Sequence, residues 1–111
     1  MRVALIGSTA SGKSAVAMAV ARRLGDVELV SIDSMQVYRG MDIGTAKPSP
    51  AEQAEIPHHL IDLVEPTHDF TVAEFQVAYT SVVEAIGERG HCALLVGGTG
   101  LYHRVVIDDF E

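Results

Sequence analysis

The residues from Gly7 to Ser14 have the composition of a loop that holds phosphate. The pattern G-x-x-x-x-G-K-[ST] is satisfied by Gly7-Ser8-Thr9-Ala10-Ser11-Gly12-Lys13-Ser14. Gly7 and Gly12 let the backbone turn so that successive N–H groups point inward, and Lys13 adds a full positive charge. The hydroxyl of Ser14 can contact a Mg2+ ion that bridges two phosphate oxygens. These residue types predict a socket for a pyrophosphate-like group.

A second candidate for chemistry is Asp33, which follows the predicted strand at residues 28–32. In a nucleotide hydrolase this acid would be the Mg2+ partner of the P-loop serine, and in a transfer reaction it would be a general base. The apolar run at residues 92–96 is followed by Gly97 and Gly98 instead of an acid. This weakens the hydrolase interpretation. A plainer alternative is that Asp33 only caps a loop.

The elements that must position these groups alternate along the chain. Strands are predicted at residues 1–6, 28–32 and 93–96, and a helix is predicted at residues 13–24, with Gly25 as a left-handed cap. Thr71 and Glu74 form a predicted capping box for a second helix, which Gly87 and Gly90 should end. The order predicts an α/β fold in which a parallel sheet is flanked by helices, like that of P-loop nucleoside triphosphate hydrolases.

Two segments have weaker patterns. Residues 34–57 are predicted to form a long functional loop with a possible helical turn at residues 51–55, because glycine and proline interrupt any periodicity. Residues 58–64 fit either a short strand or an irregular crossover. An amphipathic stretch follows Gly100 and extends through Ile107.

Size and composition predict one domain with a core. The chain has 111 residues, of which 48% are hydrophobic, and its 15 acidic residues against 8 Lys and Arg give a net charge of -7. Taken alone, this charge argues against a nucleic-acid partner. The one cysteine, Cys92, lies in an apolar run, where a small buried side chain is expected. The apolar stretch at residues 3–6 is too short for a membrane span or a secretory signal, so we expect a cytoplasmic protein.

Four motifs in this order resemble the N-terminal motifs of the tRNA dimethylallyltransferase family, and the likeness extends from Val3 to Phe110. They are Thr9-Ala10-Ser11-Gly12-Lys13-Ser14, the block from Ser31 to Pro48, His58-His59-Leu60-Ile61-Asp62, and Val96-Gly97-Gly98-Thr99-Gly100-Leu101-Tyr102. The block that includes Asp33 to Pro48 is the part that separates this family from other P-loop proteins.

The resemblance implies a prenyl transfer from dimethylallyl pyrophosphate to the N6 amine of the adenosine on the 3′ side of the tRNA anticodon. The donor diphosphate would rest on the P-loop, with Lys13 and a Mg2+ ion on Ser14 to neutralise the leaving group. Asp33 has the family's position for the base that orients the amine and takes its proton. Thr99 would contact the acceptor nucleotide or the phosphates. The adenine pocket, also a tRNA-binding part, would include Asp33, Ser34, Met35 and Gln36.

The resemblance also implies that more protein is needed. Family members are longer, with an inserted helical tRNA-binding region and a C-terminal part, so residues 1–111 are expected to be the N-terminal part of the P-loop catalytic core. We therefore expect a truncated chain that binds pyrophosphate and Mg2+ but modifies tRNA weakly, and that is a monomer without membrane contact.

Other interpretations remain open from the residues. The same transfer could act on a free nucleotide, as in adenylate isopentenyltransferases, or the P-loop could serve an ATP-dependent small-molecule kinase. His58 and His59 are expected to have a surface or packing role, because adjacent histidines point in different directions. Arg39, Lys47 and Arg104 could contact tRNA phosphates or be solvated charges. For Thr99 a helix-capping role is compatible with substrate contact.

Overall fold

The computed structural model describes residues 2–6, 13–32, 37–39 and 48–97, which form helices on a parallel sheet. The elements in chain order are β1 (Arg2–Ile6), α1 (Lys13–Leu24), β2 (Val27–Ser31), α2 (Pro50–Glu55), β3 (His58–His59), α3 (Val72–Glu88) and β4 (Cys92–Gly97). The predicted strands agree with β1, β2 and β4 to within one residue at each end. The amphipathic stretch expected to extend through Ile107 lies outside the described residues.

The four strands are arranged in the order β1-β4-β2-β3, and each pair is parallel. Parallel strands are joined by crossover connections, and the helices lie in them: α1 joins β1 to β2, α2 lies between β2 and β3, and α3 joins β3 to β4. The predicted α/β fold with a parallel sheet flanked by helices is therefore confirmed. No helix within the described ranges is both long enough and apolar enough to cross a membrane.

The two faces of the sheet bury different residues, because side chains alternate along each strand. On one face α1 packs in a cluster formed by Ala17, Met18, Ala21, Val27, Leu29 and Leu94. On the other face α3 packs in a larger cluster formed by Val30, Ile32, Leu60, Phe75, Tyr79, Val83, Ile86, Ala93 and Leu95. Cys92 is only partly buried, against the α1 cluster. Its place at the first position of β4 explains why it is less enclosed than the sequence suggested.

Local hydrogen bonds and backbone conformation determine where the helices begin and end. The hydroxyl of Thr71 accepts a hydrogen bond from the Glu74 N–H at 3.1 Å, and the Glu74 carboxylate accepts one from the Thr71 N–H at 3.3 Å. This confirms the predicted capping box of α3. Gly25 follows α1 with φ of 65°, as expected for a left-handed cap. The helix α3 ends at Glu88, between Gly87 and Gly90, so its predicted end is confirmed.

The segments with weak patterns contain short elements. The possible helical turn is confirmed as α2, which Ser49 caps through a second capping box. The segment predicted as either strand or crossover is both, since β3 has two residues and the chain then continues irregularly to a single bridge between Tyr38 and Val64. This bridge ties the beginning of the long loop to the chain that leads into α3.

Candidate functional site

Three strands end level with one another at one edge of the sheet. Ile6 of β1 is in register with Gly97 of β4, and Ser31 of β2 is in register with Val96. Neighbouring strands are about 4.8 Å apart, so the ends of β1 and β2 are about 10 Å apart with β4 between them. Ligands of parallel α/β sheets bind at this carboxyl edge. The carboxyl edge of these three strands is therefore the candidate site.

The phosphate-binding motif connects β1 to α1 across this edge. Lys13 and Ser14 are the first two residues of α1, and the first turn of this helix has no acidic residue. By contrast, the first turns of α2 and α3 contain Glu52 and Glu74. The partial positive charge at the start of α1 is therefore not offset by an acid of its own. The rest of the motif lies outside the described residues: Gly7, Ser8, Thr9, Ala10, Ser11 and Gly12.

The predicted base and adenine pocket follow β2. Asp33, Ser34, Met35 and Gln36 lie outside the described residues, but the residues on either side of them are buried and hydrogen-bonded. Before them, the Ile32 N–H donates to the Val96 carbonyl at 2.9 Å. After them, the Val37 carbonyl accepts from the N–H groups of Leu63 at 2.8 Å and Val64 at 3.2 Å. Ile32 is 2% exposed and Val37 is 1% exposed, so the two residues that flank the four-residue span are buried in the core.

The predicted contact at Thr99 also lies outside the described residues. The strand before it, β4, is paired with β1 on one side and β2 on the other. A residue just beyond β4 therefore follows the strand that separates the phosphate-binding motif from the Asp33 segment.

Of the three basic residues that could contact tRNA phosphates or be solvated charges, Arg39 is the one that lies in the described part of the chain. Arg39 is exposed, and its guanidinium donates to the Asp62 carbonyl at 3.0 Å and to the Glu65 carboxylate at 2.9 Å. Lys47 and Arg104 lie outside the described residues. Among the candidates for phosphate contact, Arg39 thus has protein acceptors within its own neighbourhood.

The two adjacent histidines have different partners. The His58 ring donates from Nδ1 to the Ile56 carbonyl at 2.6 Å, and burial lowers the pKa of this histidine. The His59 Nε2 lies 2.7 Å from the Glu28 carboxylate. Within the residues that the structure describes, no group of three or more potential ligand side chains could hold a metal ion. The part-buried His58 agrees with the expected packing role, whereas the pairing of His59 with Glu28 was not predicted.

One charged residue in the core was missed by the sequence analysis. Glu28 is the second residue of β2, and its side chain is 3% exposed. Arg89 donates to both of its oxygens, at 2.8 and 2.7 Å, while His91 Nδ1 and His59 Nε2 lie at 2.8 and 2.7 Å. Because an ionised carboxylate can only accept, both ring nitrogens donate. A charged residue in an otherwise apolar strand was the signal that could have revealed this cluster.

The Glu28 cluster is electrostatically tuned but lies at the far end of the sheet. Hydrogen bonds from Arg89 above all, and from His59 and His91, lower the pKa of Glu28 from 4.5 to about 2, although burial opposes the shift. The adjacent Val27 is in register with Cys92, the first residue of β4. The cluster therefore stabilises the amino ends of the strands and does not contribute to the candidate site.

The chain was compared with known protein families. A family model described as IPP transferase matches residues 36–111. Among curated relatives, the tRNA dimethylallyltransferase of Moorella thermoacetica is 54% identical over 97% of this chain and 35% of the relative. The tRNA dimethylallyltransferase of Symbiobacterium thermophilum is 53% identical over 97% of this chain and 34% of the relative. The chain thus spans about a third of the length of these relatives.

Solved structures give the same result. The full-length tRNA isopentenylpyrophosphate transferase of Bacillus halodurans superposes with a TM-score of 0.88 and 51% identity, over 99% of this chain and 36% of that chain. A eukaryotic dimethylallyltransferase acting on tRNA superposes with a TM-score of 0.83 and 32% identity, over 94% of this chain and 26% of that chain. The likeness in sequence and in fold covers almost all of the chain.

Proposed function

Since the chain belongs to the IPP transferase family, we propose that it provides the donor-binding and base-activating part of a tRNA dimethylallyltransferase. The observation that carries this proposal is the common edge of β1, β4 and β2. The phosphate-binding motif, Thr99 and Asp33 each follow one of these three neighbouring strands in the sequence. The curated relatives that match the chain are named for transfer to tRNA, which favours this reaction over a kinase.

The donor half of the reaction follows from the start of α1. The free N–H groups of the first helical turn and the Lys13 charge would hold the diphosphate of dimethylallyl pyrophosphate. Holding this group stabilises the negative charge that grows on it as the allylic carbon–oxygen bond breaks. Lys13 is therefore assigned a catalytic role in addition to binding, together with the amides of Gly7 to Gly12.

A Mg2+ ion is compatible with the helix start. Ser14 is the second residue of α1, the position at which the P-loop pattern has a serine or threonine for this ion. Ser14 would hold the Mg2+ ion, which would supply charge neutralisation to the leaving diphosphate. This assignment stays a proposal for Ser14 alone.

The acceptor half depends on the segment between Ile32 and Val37. An exocyclic adenine amine is a poor nucleophile, and the Asp33 carboxylate would orient it and take its proton as the new carbon–nitrogen bond forms. Ser34, Met35 and Gln36 would line the adenine pocket, with Gln36 at a base edge and Met35 against the ring. The base must leave its stack in the anticodon loop to reach this pocket. Thr99 would contact the acceptor or the phosphates.

The decisive experiment is transfer of labelled prenyl from dimethylallyl pyrophosphate to an anticodon stem-loop. It compares this chain with a version extended beyond Glu111 to the relatives' length, in which we expect turnover. In that version Asp33→Asn should slow transfer by about 100-fold or more while donor binding is kept. The matched control is Asp26→Asn, because Asp26 is 85% exposed and precedes the opposite end of β2.

Two outcomes would contradict the proposal. An extended chain with no transfer, or an Asp33→Asn variant that transfers as well as the Asp26→Asn control, would remove the assigned reaction or the assigned base. If Asp33→Asn instead abolished donor binding, Asp33 would be a metal-binding residue and the general base would have to lie elsewhere.

A further inference from the structure

The turn at Val37, Tyr38 and Arg39, hereafter the 37–39 anchor, is tied to the chain that leads into α3. Its backbone makes three hydrogen bonds: the Val37 carbonyl accepts from Leu63 and Val64, and the Arg39 N–H donates to the Val64 carbonyl at 2.9 Å. Through these bonds the anchor forms a short parallel bridge at Val64. The anchor directly follows the Asp33–Gln36 segment in the sequence.

Two side chains extend this attachment beyond the backbone. The Tyr38 hydroxyl accepts from the Phe70 N–H at 3.3 Å, only one residue before the cap of α3. The Arg39 guanidinium spans the Asp62 carbonyl and the Glu65 carboxylate. Asp62 has φ of 55°, so its carbonyl points in a direction that an ordinary extended residue would not give. Arg39 therefore fixes an irregular loop on both sides of the bridge.

From this geometry we infer that Arg39 and Glu65 are positioning residues, which hold the 37–39 anchor and through it the downstream end of the Asp33–Gln36 segment. The inference rests on the proposed function, because it assigns these two residues to the acceptor side of that reaction. Arg39 is thus assigned a positioning role and not a direct contact with tRNA phosphate, since its guanidinium already has a carboxylate and a carbonyl as acceptors.

The exposure of this pair decides which measurement can reveal its role. The side chains of Arg39 and Glu65 are 57% and 64% exposed, and an exposed ion pair contributes little to stability. Catalysis is far more sensitive than stability to a small shift of a reacting group. Loss of the pair should therefore lower kcat while the unfolding midpoint hardly changes, whereas a purely structural pair would affect neither.

The test uses the extended chain in the prenyl transfer assay, with Arg39→Ala, Glu65→Ala and the double variant. We expect each single variant to lower kcat by about tenfold. The double variant should be no worse than Arg39→Ala, because Arg39→Ala already removes the contact that Glu65→Ala removes. Arg39→Lys should restore part of the rate, since an ammonium can still reach Glu65. Arg23→Ala, which removes an exposed arginine on α1, is the matched control and should leave kcat unchanged.

Glu65→Ala separates positioning from phosphate contact. If Arg39 binds tRNA phosphate directly, Arg39→Ala raises KM for tRNA and reduces the salt dependence of binding, while Glu65→Ala has no such effect. That result overturns the inference, and so does an unchanged kcat in both single variants. An extended parent chain without any transfer removes the proposed function itself, and the positioning role with it, so the two failures can be told apart.

Discussion

Replacement of Glu28 by glutamine should destabilise the chain in a pH-dependent way. Glutamine has nearly the same shape, but it lacks the charge that attracts Arg89 and its amide N–H groups would face the donors of His59 and His91. A carboxylate that is buried and accepts several charge-assisted hydrogen bonds is among the stronger polar contributors to stability.

The magnitude follows from the pKa of Glu28. The folded chain lowers it from 4.5 to about 2, and each unit of difference corresponds to 1.36 kcal/mol, so the charged form contributes about 3 kcal/mol at neutral pH. Because the folded pKa is the lower one, this contribution is complete above pH 4.5 and is lost as the pH falls from 4.5 towards 2. We therefore expect the stability difference between parent and Glu28→Gln to be largest near neutral pH and to shrink in acid.

The assay is urea unfolding followed by circular dichroism, at neutral pH and at several pH values below 4.5. Glu55→Gln is the matched control, since Glu55 also pairs with an arginine, Arg22, but its side chain is 43% exposed. A solvent-screened pair of this kind should cost much less to break. Equal losses in Glu28→Gln and Glu55→Gln, or a Glu28→Gln loss that does not change with pH, would refute the reasoning.

Two further predictions concern α3. Phe75→Ala should lower the free energy of unfolding by about 4 kcal/mol, because Phe75 is 1% exposed in the core. Val77 lies on the same helix but is 73% exposed, so Val77→Ala should have little effect in the same urea titration. Thr71→Ala should cost about 1 kcal/mol, because it removes the side-chain half of the capping box. Ser49→Ala removes the equivalent cap of α2, which has no buried residue, so its loss should be smaller, and an equal loss would contradict this explanation.

The sequence predicted the elements whose causes are local. The capping box at Thr71 and Glu74 and the cap at Gly25 depend only on residues a few positions away, so the pattern was sufficient. Gly87 lies in the last turn of α3, because a glycine within a helix costs only about 1 kcal/mol and the neighbouring Ile86, 1% exposed, favours continued packing.

The contacts that could not be predicted join residues far apart in the sequence. Glu28 pairs with residues 31, 61 and 63 positions away, and no periodicity records such distances. Leu60 has φ of 66°, a conformation that side chains other than glycine rarely adopt, so the irregular path after β3 had no sequence signal. For the candidate site, the sequence supplied the residues and the sheet supplied the common edge; the roles of Asp33 and Thr99 stay predictions.

The strand order has a consequence for synthesis of the chain on the ribosome. Among the strands that the structure describes, β1 is made first and is paired with β4, whose residues come about 90 positions later. At roughly 5–20 residues per second, the nascent β1 waits some 5–20 s for its partner. β4 then inserts between β1 and β2 and completes both pairings together. Premature termination before residue 92 would therefore leave β1 without its paired strand β4. Such a product would be a substrate for chaperones or proteases.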